Sequence, residues 1–535
     1  MGNLRNGGIV TGVVVMGIDV GTSGTKAIAV DTEGRVLASA TVGYEMQVPA
    51  SGWAEQRPED WWQATIQAVR RVLTRLDAGA AGEAPIKIDF SHTQIAAISF
   101  SGQMHGLVPL DGQGQVIRPA LIWCDLRSAP QAQWMEQEIG RNDIISWTEN
   151  PPLPNFTATK LLWMRQHEPQ PYGRLAKILL PKDYVRYRMT GQFAMDAADA
   201  SGTLLYDVAH RHWSEDICHA LDLPMTLLPD SCESTDVVGH VTAEAAALLG
   251  VAEGTPVVAG AGDQAAGAVG LGVVDPGLIS AVFGTSGVVL APTAEPLRDP
   301  AGRLHTFCHA LGDRWFTMGV TQAAGGSLQW YRHRFGQAEE SVAQASGTDV
   351  YDLLLAEAAK VAPGAEGLLY LPYLLGERTP HLNPDARGAF VGLDWRHDKS
   401  HMVRAILEGV AFSLRDVWGL LADLGTPLNK VRVSGGGAQG RLWMEIFSSV
   451  LNRSVETMGG AQGPAYGAAM LAAHGVGMLD LHQLAGSGWI APGTLVSSPV
   501  GWPATYAGLY SVFRQSYPAL AGVYKHLAEW KARRD

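Results

Sequence analysis

Two stretches of this chain carry the same turn: VMGIDVGTSGTKAIAVD at residues 15–31 and LISAVFGTSGVVLAP at residues 278–292. In each, an apolar run stops at Gly-Thr-Ser-Gly and a second apolar run follows, the pattern of two strands joined by a tight turn. Around the first copy, VVVMGID, KAIAVD and RVLASATV read as three strands. PEDWWQATIQAVRRVLTRL, opened by Pro58 and acidic residues, has helical apolar spacing, and QIAAISFSG returns to strand. The predicted opening order is β-β-β-α-β. Two α/β units related by internal duplication account for both copies.

Downstream, a helix-rich middle (residues 125–250) leads to TPVVAGAGDQAAGAVGLG, read as a buried strand, a glycine turn and a helix. In HMVRAILEGVAFSLRDVWGLL, the residues Val403, Ile406, Leu407, Val410, Leu414 and Val417 share one helical face. KVRVSGGG and SVETM read as strands, RLWMEIFSSVL and AYGAAMLAAHG as helices. AGAAGEAP, at residues 78–85, reads as a loop.

A length of 535 residues asks for two or more domains, and 47% apolar with 17% charged residues supplies their cores. A net charge of -12 excludes a nucleic-acid binder, which needs a basic patch. No uninterrupted apolar run reaches the ~18 residues of a membrane span. IVTGVVVMGI near the start runs straight into Asp19, as a buried strand does and a signal peptide does not. Cys124, Cys218, Cys232 and Cys308 form no C-x-x-C, so they read as reduced thiols of a cytoplasmic protein.

Glycine lets a backbone approach a ligand closely, and successive N–H groups in a turn can point at an anion. Gly21, Thr22 and Ser23 in one turn and Gly284, Thr285 and Ser286 in the other could grip a polyphosphate from two sides. Lys26 supplies a cation near the first turn, and Asp19 could hold a magnesium ion through water. An ordinary hairpin turn is the alternative for either copy taken alone. No G-x-x-x-x-G-K-[ST] is present, so a P-loop is excluded.

Asp263, in AGAGDQAAG, falls where a buried strand ends, a position that presents side chains to a crevice. A carboxylate there could take the proton of an attacking hydroxyl; the alternative is a helix N-cap. Gln103, Met104 and His105 end another strand, in SFSGQMHGLVPL. Gly435, Gly437 and Gly440 also spell G-x-G-x-x-G, with Glu456 where a ribose-binding acid would fall. That pattern admits an NAD(P)-dependent oxidoreductase but leaves both hairpin turns unexplained.

Taken in order, GIDVGTSGTKA, GWAEQRPEDWW, SGQMHG, LLPKDYVRYRMTG, PVVAGAGDQAAGAVG, FGTSGV, LPYLLGERTPH, LEGVAFSLRD and SGGGAQG resemble the FGGY family of carbohydrate kinases. The resemblance runs from about Gly17 to about Gly475 and is closest to members that phosphorylate D-xylulose. It implies an α/β fold of the actin/hexokinase/Hsp70-like ATPase type, two related ribonuclease H-like domains around a cleft. It further implies a leader at 1–12, an N-terminal sugar-binding domain at 13–271, a C-terminal ATP-binding domain at 272–500 and a helical segment at 501–535.

By the same resemblance, Asp19, Gly21, Thr22, Ser23 and Lys26 form the first phosphate segment with its magnesium region, and Gly284, Thr285 and Ser286 the second. Gly435, Gly436, Gly437 and Ala438 form the adenosine-side loop, which displaces the dehydrogenase reading. Asp263 becomes the general base, and Gln103, Met104, His105 and Gln264 the sugar contacts. The implied reaction uses MgATP to phosphorylate a ketopentose at its terminal hydroxyl. Many relatives are dimers, so a homodimer is expected as well. Two positions depart from the pattern: Gln264 stands where Asn is usual, and Cys124 replaces Asn in WCDLR. Both bear on which ketose or polyol fits. A chaperone-like ATPase shares the two hairpins but has no need of SGQMHG or Asp263.

Overall fold

A computed structural model describes residues 12–77, 94–459 and 463–533. The expected leader and the loop at 78–85 lie outside the described residues, apart from Gly12. The first half opens with β1 (Val13–Val20), β2 (Gly24–Asp31) and β3 (Val36–Gly43), followed by helix α1 (Pro58–Asp77) and β4 (Gln94–Gly102). A two-residue strand, Glu55–Gln56, interrupts the predicted order before α1. After the middle segment come β5 (Pro256–Val258) and helix α2 (Asp263–Gly270).

The second half repeats the plan with β6 (Gly277–Phe283), β7 (Gly287–Thr293) and β8 (Trp315–Thr321). Helix α3 (Lys399–Asp423), β9 (Leu428–Ser434), helix α4 (Arg441–Leu451), β10 (Val455–Thr457) and helix α5 (Pro464–Gly475) follow. A last helix, α6, spans Trp502–Ala532.

Each half forms a seven-stranded sheet. In the first, β1 pairs antiparallel with β2 and parallel with β4, β2 pairs antiparallel with β3, and β4 pairs parallel with β5. In the second, β6 pairs antiparallel with β7 and parallel with β9, β7 pairs antiparallel with β8, and β9 pairs parallel with β10. The neighbour order third, second, first, fourth, fifth is therefore the same twice, and the duplication read from the two turns is a duplication of topology.

Burial follows the patterns. Trp61, Trp62, Val69 and Val72 of α1 are buried, as are all six apolar residues predicted for one face of α3. The four cysteines are free thiols. No helix of the described residues is long and apolar enough to cross a membrane.

The halves meet where the two helices after the fifth strands, α2 and α5, cross. Helix α5 belongs to the second half in sequence, yet it also packs on β1, β2 and β4 of the first sheet. Its sequence is apolar on all sides, which suits a helix covered on more than one face. The approach is backbone to backbone: a Cβ added at Gly467 would stand 1.7 Å from the Ala266 carbonyl oxygen, and one at Gly17 would stand 2.0 Å from that of Ala465. Either contact forces main chain to move.

Gly467→Ala and Gly17→Ala are each expected to cost about 1–3 kcal/mol or more. Gly508→Ala, in the exposed middle of α6 with nothing within 4 Å of the added carbon, should instead gain ~0.5–1 kcal/mol. Calorimetric melting of the three variants checks the signs.

Candidate functional site

Both Gly-Thr-Ser-Gly turns have carbonyls tied back, by different partners and in different registers. In the first, Gly21 N–H donates to the Gly24 carbonyl at 3.1 Å, closing the turn. The Gly21 carbonyl is held by the Tyr44 hydroxyl at 2.6 Å, and the Thr22 carbonyl by the Gln56 side-chain amide at 2.7 Å. In the second, the Gly284 carbonyl accepts from Gly325 N–H at 2.8 Å, and the Thr285 carbonyl from Ala324 and Gly326 N–H at 2.9 and 3.0 Å. Gly325 must lack a side chain, because its Cβ would lie 2.6 Å from the Gly284 oxygen.

With the carbonyls tied back, the N–H groups of Thr22, Ser23, Thr285 and Ser286 donate to nothing in the described chain. Ser23 and Thr285 are exposed at the turn tips. Two donor-lined turns are left to meet an anion.

Strand register brings the carboxylates together. Asp19 lies opposite Ser101, Ser101 lies opposite Ala261, and Asp263 follows two residues later. Neighbouring strands are about 4.8 Å apart, so Asp19 and Asp263 sit roughly two strand spacings apart at the same sheet edge. Both are half-buried. Burial, and then the Asp19 charge, push the Asp263 carboxyl up to about 7. Burial pushes Asp19 up to about 6, with Ser101 and Lys26 opposing the shift. Lys26 lies directly across the hairpin from Asp19.

Asp263 does not cap its helix. Gly262 occupies the N-cap and makes no side-chain bond, so the N-cap alternative is overturned, while Gln264 Nε2 donates to Asp263 Oδ1 at 3.3 Å. Gly262 is needed here, since a Cβ would meet Met104 Cγ at 2.7 Å and Asp199 Oδ1 at 3.1 Å.

Met104 and His105 are buried beside this strand end. His105 takes φ 65, and its Nδ1 lies 2.7 Å from the Gly202 carbonyl oxygen. Burial holds its imidazole down to about 3, hence neutral. Gln103 behaves differently from its neighbours. Its amide nitrogen donates to the Gly21 carbonyl and to Gln56 Oε1, at 3.3 and 2.8 Å, and its oxygen accepts from the Thr22 hydroxyl at 3.4 Å. Its bonding capacity is thus spent on the first turn. Trp123 joins the same knot, its indole N–H donating to Thr22 Oγ1 at 2.9 Å. Cys124, beside it, is half-buried with Sγ 3.8 Å from Met46 Sδ.

A cavity of about 370 Å³ opens beside the second turn, lined among others by Gly284, Thr285, Gly436, Gly437, Tyr351 and Trp443. The register places Ser434, just before the glycine cluster, opposite Val282, just before that turn. Gly435 can approach because it has no side chain; a Cβ would stand 2.6 Å from the Phe283 oxygen. Gly435, Ser286 and Ala438 do not line the cavity. Trp443 lay within a motif already quoted, whereas Tyr351 has no local signal in the sequence. A larger cavity of about 890 Å³, bounded by Trp62, Tyr187 and Arg188, touches none of the expected site residues.

Comparison with known proteins gives two family matches. Residues 14–270 match the N-terminal domain of the FGGY family of carbohydrate kinases, and residues 279–476 match its C-terminal domain. A xylulose kinase of Bacillus subtilis (strain 168) is 40% identical over 466 residues, 87% of this chain and 89% of that protein. One of Lactococcus lactis is 37% identical over 522 residues, 96% of this chain and 99% of that protein. A crystal structure of a xyloylose kinase from Brucella ovis superposes with a TM-score of 0.84 at 32% identity, over 95% of this chain and 100% of that one.

The upward shift of Asp263 has a stability cost. A carboxyl raised in the folded state favours folding fully below its unfolded value and loses that support as pH rises through about 7. Asp263→Asn should therefore be more stable than the parent by on the order of 1–3 kcal/mol at pH 8. The difference should shrink toward pH 4. Thermal melts across that range, without ligands, test it.

Proposed function

The chain belongs to the FGGY family of carbohydrate kinases, and we propose that it transfers the γ-phosphoryl group of ATP to the 5-hydroxyl of D-xylulose in the cytoplasm. The observation that carries this reading is Asp263: a half-buried carboxylate, not engaged as a cap, poised near neutrality at the strand end beside Met104 and His105. Its oxygen takes the proton of the sugar hydroxyl as that oxygen attacks the γ-phosphorus. The bond from phosphorus to the β–γ bridging oxygen breaks, and ADP leaves. Xylulose is favoured over other ketoses because the curated relatives named above are xylulose kinases.

The remaining residues take roles that suit their surroundings. The N–H groups and hydroxyls of Thr22, Ser23, Thr285 and Ser286, with Gly21 and Gly284 giving access, hold the phosphates, and Lys26 adds charge. The cavity beside Gly435, Gly436 and Gly437 accepts the adenosine, with Ala438 behind it. Met104, His105 and Gln264 border the sugar, while Gln103 positions the first turn rather than touching substrate. Asp19 fits a magnesium ion, since its Oδ1 is buried without a protein partner, a hard oxygen donor. The ion would supply charge neutralisation at the transferring phosphoryl group. The sequence boundaries at 13–271, 272–500 and 501–535 are kept as the working division into sugar lobe, nucleotide lobe and terminal helix.

ATP turnover by the purified enzyme with Mg²⁺, across ketopentoses, hexuloses, aldonates and polyols, tests the assignment; a larger kcat/KM for any sugar other than D-xylulose would sink it. Asp263→Asn should lose roughly 10²–10⁴-fold in kcat, and retention of more than a tenth of the parent rate would count against the base. The kcat/KM profile should fall about tenfold per pH unit below about 7, as Asp263 takes up its proton. Gln264→Asn and Cys124→Asn should change the D-xylulose to D-ribulose ratio by amounts on the order of 1–3 kcal/mol per altered hydrogen bond.

A further inference from the structure

Away from the cleft, a small hairpin brings three metal-binding side chains to one point. Its strands, Tyr206–Asp207 and His212–Trp213, are joined by a turn that Arg211 N–H closes onto the Asp207 carbonyl at 2.8 Å. Arg211 takes φ 59, and with that reversal His210 and His212 stand side by side. Their ring centroids are 6.0 Å apart and their planes within 23°. Candidate ligand atoms of Asp207, His210 and His212 all lie within 4.8 Å of one another, and both histidines are exposed.

A hydrogen bond also selects the tautomer of His212. Its Nδ1 lies 2.9 Å from the Trp213 carbonyl oxygen, which can only accept, so Nδ1 carries the proton and Nε2 offers its lone pair, with the carbonyl as the usual outer support of a metal-bound histidine. His210 Nδ1 and Asp207 Oδ2 stand 2.9 Å apart, the spacing of two neighbouring ligands of one ion, which would take the place of the proton between them. The buried trio Asp183, Asp196 and Asp199 contrasts with it, because the Lys182 ammonium already sits there, 2.6 Å from Asp183 and 3.2 Å from Asp199.

We propose that Asp207, His210 and His212 form a site for a borderline divalent transition metal such as zinc, nickel or cobalt, distinct from any magnesium of the phosphoryl transfer. Two imidazole nitrogens and one carboxylate, with water completing the shell, suit those ions, whereas magnesium prefers oxygen throughout. Arg298, which feels the Asp207 charge, is itself held by Glu149 at 2.7 Å.

The hairpin is a strut between the halves. Arg211 Nε donates to Glu233 Oε1 at 2.9 Å, and its Nη1 reaches the Arg314 carbonyl at 3.0 Å, next to β8. Trp315, the first residue of β8, donates its indole N–H to the Val208 carbonyl at 2.7 Å. A metal that fixes residues 207, 210 and 212 fixes the shape of this strut, so it acts on the link between the lobes rather than on the reacting groups.

The test uses tag-free full-length enzyme in excess Mg²⁺, so that the nucleotide region cannot supply the signal. Calorimetry with Zn²⁺ should show one equivalent bound, and His210→Ala and His212→Ala should each weaken it by about tenfold or more. Co²⁺ should give a visible band that both variants lose. Amide exchange at residues 207–213 should slow on Zn²⁺ addition in the parent only, with kcat for sugar phosphorylation in Mg²⁺ buffer free of transition metals the same in all three proteins. Absence of Zn²⁺ binding, or binding that survives both substitutions in proteins of unchanged melting temperature, would overturn the site.

Discussion

The crossing of α2 and α5 fixes how the two halves of the molecule stand. At Gly467 and Ala266 the main chains touch without intervening side chains, and at Gly17 the strand β1 accepts α5 the same way. A glycine inside a strand or helix weakens that element by roughly 0.5–1 kcal/mol, so local preference alone argues against Gly17 and Gly467. The close approach compensates: without side chains at these points, helix packs on helix and helix on strand through main-chain contact. Rotation of one lobe about such a contact shears few interlocked side chains. A kinase that must close over its substrates and exclude water has a use for that property.

From this crossing the positions of the candidate site residues follow. The strand ends of the first sheet carry Asp19 and lead into Asp263, and the equivalent strand end of the second sheet carries the second turn. Both turns solve the same problem. A tight turn exposes carbonyl oxygens as well as N–H groups, and an anion is repelled by the former. One turn neutralises its carbonyls with Tyr44, Gln56 and Gln103, and the other with the first N–H groups of the helix Gly325–Phe335. Different elements thus produce the same donor-only surface, which is why the turn sequence repeats while its surroundings do not.

Much of this was legible in the chain. Short continuous apolar runs marked the hairpin strands, the 3.6-residue period marked α1 and α3, and a repeated four-residue turn marked the duplication. Three things were not. Asp263 begins a helix, where Asp is also a good cap, and only the backbone at Gly262 separates the two readings. Gln103 sits beside Met104 and His105 in sequence, but the three follow the end of β4 on irregular backbone, where period-two alternation does not apply, and only its hydrogen bonds show that Gln103 is turned to the first hairpin. Helix α5 is apolar on every side, so periodicity says it is covered all round without saying by which sheet.

The buried cluster of Lys182, Asp183, Arg186, Asp196 and Asp199 and the carboxylates Asp19 and Asp263 meet one physical problem side by side, Asp199 lying against Gly262. A carboxylate removed from water must be compensated or it gains a proton. The Lys182 ammonium contacts Asp183, Asp196 and Asp199 together and Arg186 also reaches Asp183, so Asp183 and Asp196 are paired, while burial pushes the third carboxyl, Asp199, well up. Asp263 is given no cation. Among the described residues its carboxyl is supported by the side chain, at 3.3 Å, and backbone of Gln264, and its charged neighbour Asp19 has the same sign. Compensation would have stabilised the fold and lowered the basicity of the group together. Leaving Asp263 uncompensated keeps it close to neutrality, where a carboxylate can both hold and release a proton, and the paired network beside it keeps the surrounding chain in place despite that strain.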